Sequence, residues 1–220
     1  MLVAAALGAA LTAPSAMAQS FTNGDFETFN GAPGPAFIRD LLIDGDTRVD
    51  GWTHGSANGA YDIYENDTQD GLTAFDGTHY VSFGHNSTAG GTLSQSFASV
   101  LGTIYTLGYH FAEQQGSDPT GSSFDVWIDG ALAGNSGNAA YNVWGAGSLQ
   151  FAGTGNLVSI LFRDATTTGG GSNLALDGVT LNGVAGSSVP EPATWAMMLA
   201  GMSLVGVGMR RRGTKASAIA

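Results

Sequence analysis

From residue 19 to residue 187 apolar and polar positions alternate with a period of two, broken every few residues by glycine. Tyr105, Leu107, Tyr109 and Phe111 alternate with Thr106, Gly108, His110 and Ala112, which predicts a strand with one buried face. Phe124, Val126 and Ile128 alternate with Asp125, Trp127 and Asp129, and Asp129-Gly130 then suits a type I′ turn that returns the chain through Ala131-Leu132. Residues 80–83, 93–97, 157–162 and 174–181 supply further short strands. No segment of this region sustains a helical period. Six or more strands bounded by turn residues predict an all-β domain built as a two-sheet sandwich.

The two ends break this pattern. Residues 2–11 form an apolar run of the length of a signal-peptide core, followed by Pro14 and by Ala16-Met17-Ala18, a small-x-small cleavage site. Residues 1–18 are therefore expected to be a signal peptide, with Gln19 as the new N-terminus. No Lys or Arg precedes the run, so the expected start lies upstream or has been trimmed. At the other end, residues 183–189 lead into Pro190-Glu191-Pro192-Ala193-Thr194-Trp195-Ala196, an apolar run to Met209 and then Arg210-Arg211-Arg212. Residues 195–209 would make about 22 Å of helix, against about 30 Å for a hydrocarbon core. That is short for a permanent span. The arginines would hold its end in the cytoplasm, with Trp195 at the opposite interface.

Short motif, sub-length apolar helix and basic terminus, in that order, resemble the PEP-CTERM sorting signal in its Pro-Glu-Pro-x-x-Trp-Ala variant. The resemblance covers residues 189–213 and implies that an exosortase, a membrane-embedded cysteine transpeptidase, reads Pro190, Glu191 and Pro192 and that the helix is discarded. It implies a transient inner-membrane stage followed by the cell surface or medium, and an association with exopolysaccharide. Pro190 and Pro192 cannot sit in a helix interior, so they keep the junction extended. The expected organisation is a signal peptide at 1–18, a β-sandwich at 19–187, the sorting segment at 188–213 and a cytoplasmic tail at 214–220.

Asn23-Gly24-Asp25-Phe26-Glu27, Gly51-Trp52, Leu93-Ser94-Gln95-Ser96-Phe97 and Leu176-Asp177-Gly178-Val179-Thr180-Leu181 resemble the galactose-binding-like jelly rolls, a group that includes carbohydrate-binding modules. In such folds a first-strand Glu and a last-strand Asp often meet at a structural calcium, and Glu27 and Asp177 occupy those positions. Calcium takes six to eight oxygens, so carbonyls near Gly24, Asp25 or Asp76 would have to complete the shell. Trp127 is out of phase with Phe124, Val126 and Ile128, so alternation turns it away from the core. An outward aromatic is what sugar stacking uses, with Asp125 and Asp129 as hydroxyl acceptors; ordinary packing is the alternative. Trp52, Tyr61, Tyr64 and Trp144 are further candidate loop aromatics.

Charge narrows the partners. The formal net charge is -11, and of 18 acidic residues all but Glu191 precede the tail, where only Arg39, Arg48 and Arg163 oppose them. Such a domain repels nucleic acid. Glycine, at 34 residues against 6 prolines, fits turn-dense β structure, and the absence of cysteine removes disulfides, thiolate metal sites and a Cys nucleophile. His54, His79, His85 and His110 lack zinc spacing. No nucleophile elbow or phosphate loop is present. Glu113, Asp125 and Asp164 are acids from which a glycosidase pair could be drawn, but a catalytic role is not the expectation. The combined reading is an exported, exosortase-processed surface or matrix protein with a non-catalytic interaction domain. The alternative is a carbohydrate-binding module with a defined glycan.

Overall fold

A computed structural model describes residues 20–31, 39–56, 62–66, 71–84, 89–114, 121–167, 173–185 and 197–203. Its contacts divide the chain into two units, Met1–Val184 and Ala185–Ala220.

The first unit is a jelly-roll-like β-sandwich. In chain order its strands are β1 (Arg39–Leu42), β2 (Thr53–Ser56), β3 (Asp62–Asn66), β4 (His79–Phe83), β5 (Gly91–Ala98), β6 (Thr103–Glu113), β7 (Phe124–Ile128), β8 (Ala131–Asn135), β9 (Gly145–Ala152), β10 (Leu157–Asp164) and β11 (Leu174–Ala185). One sheet runs β1-β3-β4-β11-β6-β9 and the other β2-β5-β10-β7-β8. The final strand thus lies in the middle of the six-stranded sheet.

The alternation read from β5, β6, β7 and β10 sends one face of each into a common core. Phe83 and Phe124 meet edge to face at 4.8 Å and Tyr109 and Phe162 at 5.1 Å, while Phe26 lies tilted against Trp52 at 5.4 Å. Such ring pairs add to the gain from burial alone. Trp52 is therefore a core residue and not a loop aromatic, at 1% exposure with its Nε1–H donating to the Asn23 carbonyl at 2.8 Å. Gly51, beside it, takes a positive φ of 79°, a conformation that glycine adopts without cost. Asp129 and Gly130 both have positive φ, 49° and 74°, as a type I′ turn requires.

Glu27 departs from its expected place on a first strand. Residues 20–31 form no named strand, and their isolated bridge, Phe29 to Val49, joins two segments outside the named strands. They lie beside β11, where the Val179 N–H donates to the Gly24 carbonyl at 2.8 Å.

In the second unit, residues 197–203 are helical. Among the described residues no helix is long and apolar enough to cross a membrane. Pro190, Glu191, Pro192, Trp195, Arg210, Arg211 and Arg212, the signal peptide at 1–18, Tyr61 and His85 lie outside the described residues.

Candidate functional site

Two places on the sandwich gather the residues singled out by sequence. The first is the outer face of the five-stranded sheet. Residues directly opposed across a ladder share a face, so the register defines two rows. Trp127 on β7 faces Leu132 on β8 and Leu161 on β10, and the row continues through Ser94 on β5 to Thr53 on β2. Two positions along β7, Asp125 faces Asn135 and Arg163, and Arg163 faces Thr92. Phe124 and Val126 are buried while Asp125 and Trp127 are half-buried, as the parity of the strand demands.

The Trp127 Nε1 atom is itself buried and has no hydrogen-bond partner among the described residues. What the face offers is ring surface. Asn135 donates from Nδ2 to Asp125 Oδ1 at 2.9 Å, which fixes one carboxylate oxygen beside the ring. A β-bulge opposite Val126 and Trp127 leaves Ala133 of β8 as the extra residue and shifts the register, while Trp127 keeps its parity on β7. Asp129 occupies the hairpin turn, its Oδ1 accepting the Ser159 N–H at 2.8 Å.

The second place is the loop ahead of β4. Asp177 is fully buried, and its Oδ2 accepts the N–H groups of Phe75 at 2.7 Å and Asp76 at 3.0 Å while Oδ1 accepts that of Gly178 at 2.6 Å. Glu27 grips the other side of the same loop. Its Oε1 accepts from the Thr78 N–H at 2.6 Å and the His79 N–H at 2.7 Å, and its Oε2 from the Thr78 hydroxyl at 3.0 Å and faces His79 Nδ1 at 3.1 Å. Two acids 150 positions apart in sequence thereby pin residues 75–79. Gly77 sits between them at a φ of 68°, and a Cβ there would collide with the Glu27 carboxylate.

The two carboxyls are tuned in opposite senses. Burial pushes Asp177 up to about 7, its three N–H donors only partly offsetting the lost hydration and the charge of Asp76 adding to the rise. Burial also acts upward on Glu27, but hydrogen bonds from Thr78 and His79 outweigh it and hold the carboxyl below its usual range. No group of three or more His, Cys, Asp or Glu side chains that could hold a metal occurs among the described residues. Both oxygens of the buried carboxylate are taken by backbone N–H donors, so a cation here would have to displace some of them and draw the rest of its shell from carbonyl oxygens.

The loop also covers the outer face of the six-stranded sheet. Phe75 stacks on His110 at 3.4 Å, and Trp144 stands edge-on to Phe75 at 6.2 Å and to Tyr80 at 6.0 Å, its Nε1–H donating to the Thr73 carbonyl at 2.8 Å. Trp144 is thus a half-buried brace of that loop. His54 is buried with Nδ1 2.8 Å from the Ile43 carbonyl. Glu113 and Asp164 are buried, and neither lies on the Trp127 face. Sequence reasoning missed Arg163, Leu132 and Leu161 as neighbours of Trp127; the facing strands β7 and β10 were legible, but not their register.

Residues 188–212 match the family described as the PEP-CTERM protein-sorting motif. No curated protein matches the chain in sequence. Among solved structures the chain is similar to TmCBM61 in complex with beta-1,4-galactotriose, at 15% identity and a TM-score of 0.46, covering 74% of this chain and 96% of that one. It is also similar to the CBM22-1 xylan-binding domain from Paenibacillus barcinonensis, at 14% identity and a TM-score of 0.45 over 69% of this chain and 95% of that one. A family 35 carbohydrate binding module from Clostridium thermocellum has 13% identity and a TM-score of 0.41 over 63% and 95%.

Proposed function

We propose that this chain is an exported surface protein whose sandwich binds a glycan on the outer face of the five-stranded sheet. The observation that carries the reading is the row through Trp127. An indole ring lies on the outer face of the five-stranded sheet, one strand in from its edge, between Leu132 and Leu161, with Asp125, Asn135 and Arg163 in the adjoining row. A sugar ring presents axial C–H groups to such a surface and hydroxyls around its edge, so one aromatic platform and a fringe of donors and acceptors suffice to hold it. In this arrangement Asp125 and Arg163 contact the ligand, and Asp129 acts indirectly by fixing the hairpin. A neutral or basic glycan suits the acidic domain best.

The sorting motif at 188–212 supports export and delivery to the cell surface. Exosortase cuts near Pro192 after a transient membrane stage in which the apolar run holds the precursor, and the product remains with extracellular polysaccharide. Calcium, held by Glu27 and Asp177 with neighbouring carbonyl oxygens, would neutralise the buried acid and stiffen the loop at 75–79.

Two measurements test this. Saturable binding on a glycan array that disappears in Trp127→Ala, with the fold intact by circular dichroism, supports the glycan site; equal binding by both proteins refutes it. Mass spectrometry of protein from a host carrying the cognate exosortase should find no peptide containing Arg210 to Arg212. Its presence in the mature protein would replace sorting by a plain anchor.

A further inference from the structure

One end of the sandwich carries exposed aliphatic side chains on three adjoining segments, with Asp129 of the β7–β8 turn at the same end, its Oδ1 accepting the Ser159 N–H. The β5–β6 turn and the β9–β10 turn are zipped together there, the Ser99 N–H donating to the Asn156 carbonyl at 2.9 Å and the Gly153 N–H to the Thr103 carbonyl at 2.7 Å. The end of β11 reaches the same place, since a Cβ on Gly183 would meet Thr103 Cγ2 at 3.0 Å and Tyr105 Cε1 at 2.9 Å. Residues 99–103, 153–157 and 181–184 contain no Asp, Glu, Lys or Arg, in a domain otherwise rich in acids. Leu101 is 77% exposed, Val184 70%, Val100 61% and Leu157 58%. Four large aliphatic side chains in water at the tips of adjoining turns form an interaction surface and not a scatter of single residues.

The position of this end in the chain identifies its partner. β11 leaves the sandwich here, and the polypeptide continues into the sorting segment matched at 188–212. Residues 186–196 separate the strand from the helical residues 197–203, and eleven residues reach at most about 40 Å. While the apolar run is held in a bilayer, no other part of the sandwich is tethered so closely to the lipid surface.

We infer that the Val100–Leu101, Leu157 and Val184 end of the sandwich inserts its aliphatic side chains into the interface of the bilayer during the membrane-held stage; this rests on the membrane stage proposed above. The exposed aliphatics leave water for the acyl boundary, and the three segments that carry them bring no ion of their own to be desolvated. The contact orients the domain end-on, with the Trp127 face standing along the membrane normal and free on the outside.

The test uses the full chain, whose lack of cysteine permits single labelling sites. An environment-sensitive fluorophore is placed at Leu101→Cys, at Met198→Cys in the tail helix and at Asn138→Cys, an exposed position at the opposite end, in vesicles of phosphatidylethanolamine and phosphatidylglycerol. Blue-shifted emission quenched by nitroxide lipids at 101 and 198, but not at 138, is the expected result. Adding Leu157→Asp and Val184→Asp should return the 101 probe to a water-like spectrum and leave the 198 probe unchanged. A 198 probe in lipid with a 101 probe as wet as 138 overturns the inference and leaves the membrane stage standing. A 198 probe in water removes both. Shielding at 101 that needs no lipid and grows with protein concentration assigns the end to a second copy of the chain instead, and overturns it as well.

Discussion

Asp177→Asn should flatten the pH dependence of stability in chelator. The carboxyl is fully buried, its contacts are the N–H groups of Phe75, Asp76 and Gly178, and burial raises its pKa from 3.8 to about 7. The native state therefore holds a proton that the unfolded chain releases between those two values, and stability falls as pH rises through that window. At about 1.4 kcal/mol per unit, a rise of roughly three units costs about 4 kcal/mol once the pH exceeds 7. That is a large share of a total stability of about 5–15 kcal/mol. Glu27 works in the opposite sense, because its lowered pKa stabilises the fold above the unfolded value and that contribution is lost only as pH falls below the usual carboxylate range. It adds no slope between pH 5 and 8. Guanidinium unfolding across that range should show the wild type losing stability steadily as pH rises. Asp177→Asn should lose less, the difference between the two proteins narrowing with pH. Parallel curves for the two would refute the assignment of the slope to this carboxyl.

Calcium should raise the melting temperature of the wild type by binding the native state, and chelation should reverse it; Glu27→Ala and Asp177→Ala that respond to calcium as the wild type does would remove the site. Gly77→Ala should cost more than about 1 kcal/mol by thermal denaturation, because the residue holds a positive φ and its new methyl meets Glu27. Trp52→Ala should cost about 3–5 kcal/mol or prevent folding, since it empties a fully buried site. Trp127→Ala, on the outer face, should cost on the order of 1 kcal/mol and act on ligand binding alone. Equal destabilisation by both tryptophan variants would place Trp127 in the core.

The strands that could be read from sequence are those in which aromatic or branched residues alternate with small or polar ones, as in Tyr105-Thr106-Leu107 and Phe124-Asp125-Val126. They lie at the centres of the sheets, where one face must be dry. β1, β2 and β3 escaped because Arg-Asp-Leu-Leu, Thr-His-Gly-Ser and Asp-Ile-Tyr-Glu-Asn are short and polar, as suits strands at or near a sheet edge. β9 escaped for another reason. Glycine and alanine fill alternate positions because Tyr109 and Phe111 of β6 lie over Gly147 and Gly145, so its pattern is one of available space and not of hydropathy. The outward aim of Trp127 followed from strand parity alone. Trp52 follows Gly51 in a turn-rich stretch, and nothing local says that the turn drops the indole into the core. Resemblance paired Glu27 with Asp177 only as calcium ligands; that both hold the loop at 75–79 was not legible, because residue spacing carries no trace of a contact between positions so far apart.

The central place of β11 has a consequence in time. A chain that crosses a membrane from its N-terminus delivers β4 and β6 long before the strand that belongs between them. Until residues 174–185 arrive, the six-stranded sheet is two separate halves and the segment around Gly24 has no β11 to lie against. Closing the domain is thus the last event of its delivery, governed by contacts between the two extremes of the chain, the kind that form slowly. A chain exported through its N-terminus would therefore cross on an unfinished fold, which a completed sandwich would obstruct. The sorting segment follows directly on the strand that completes the domain, so in the proposed membrane stage arrest and completion of the sheet would fall at nearly the same moment.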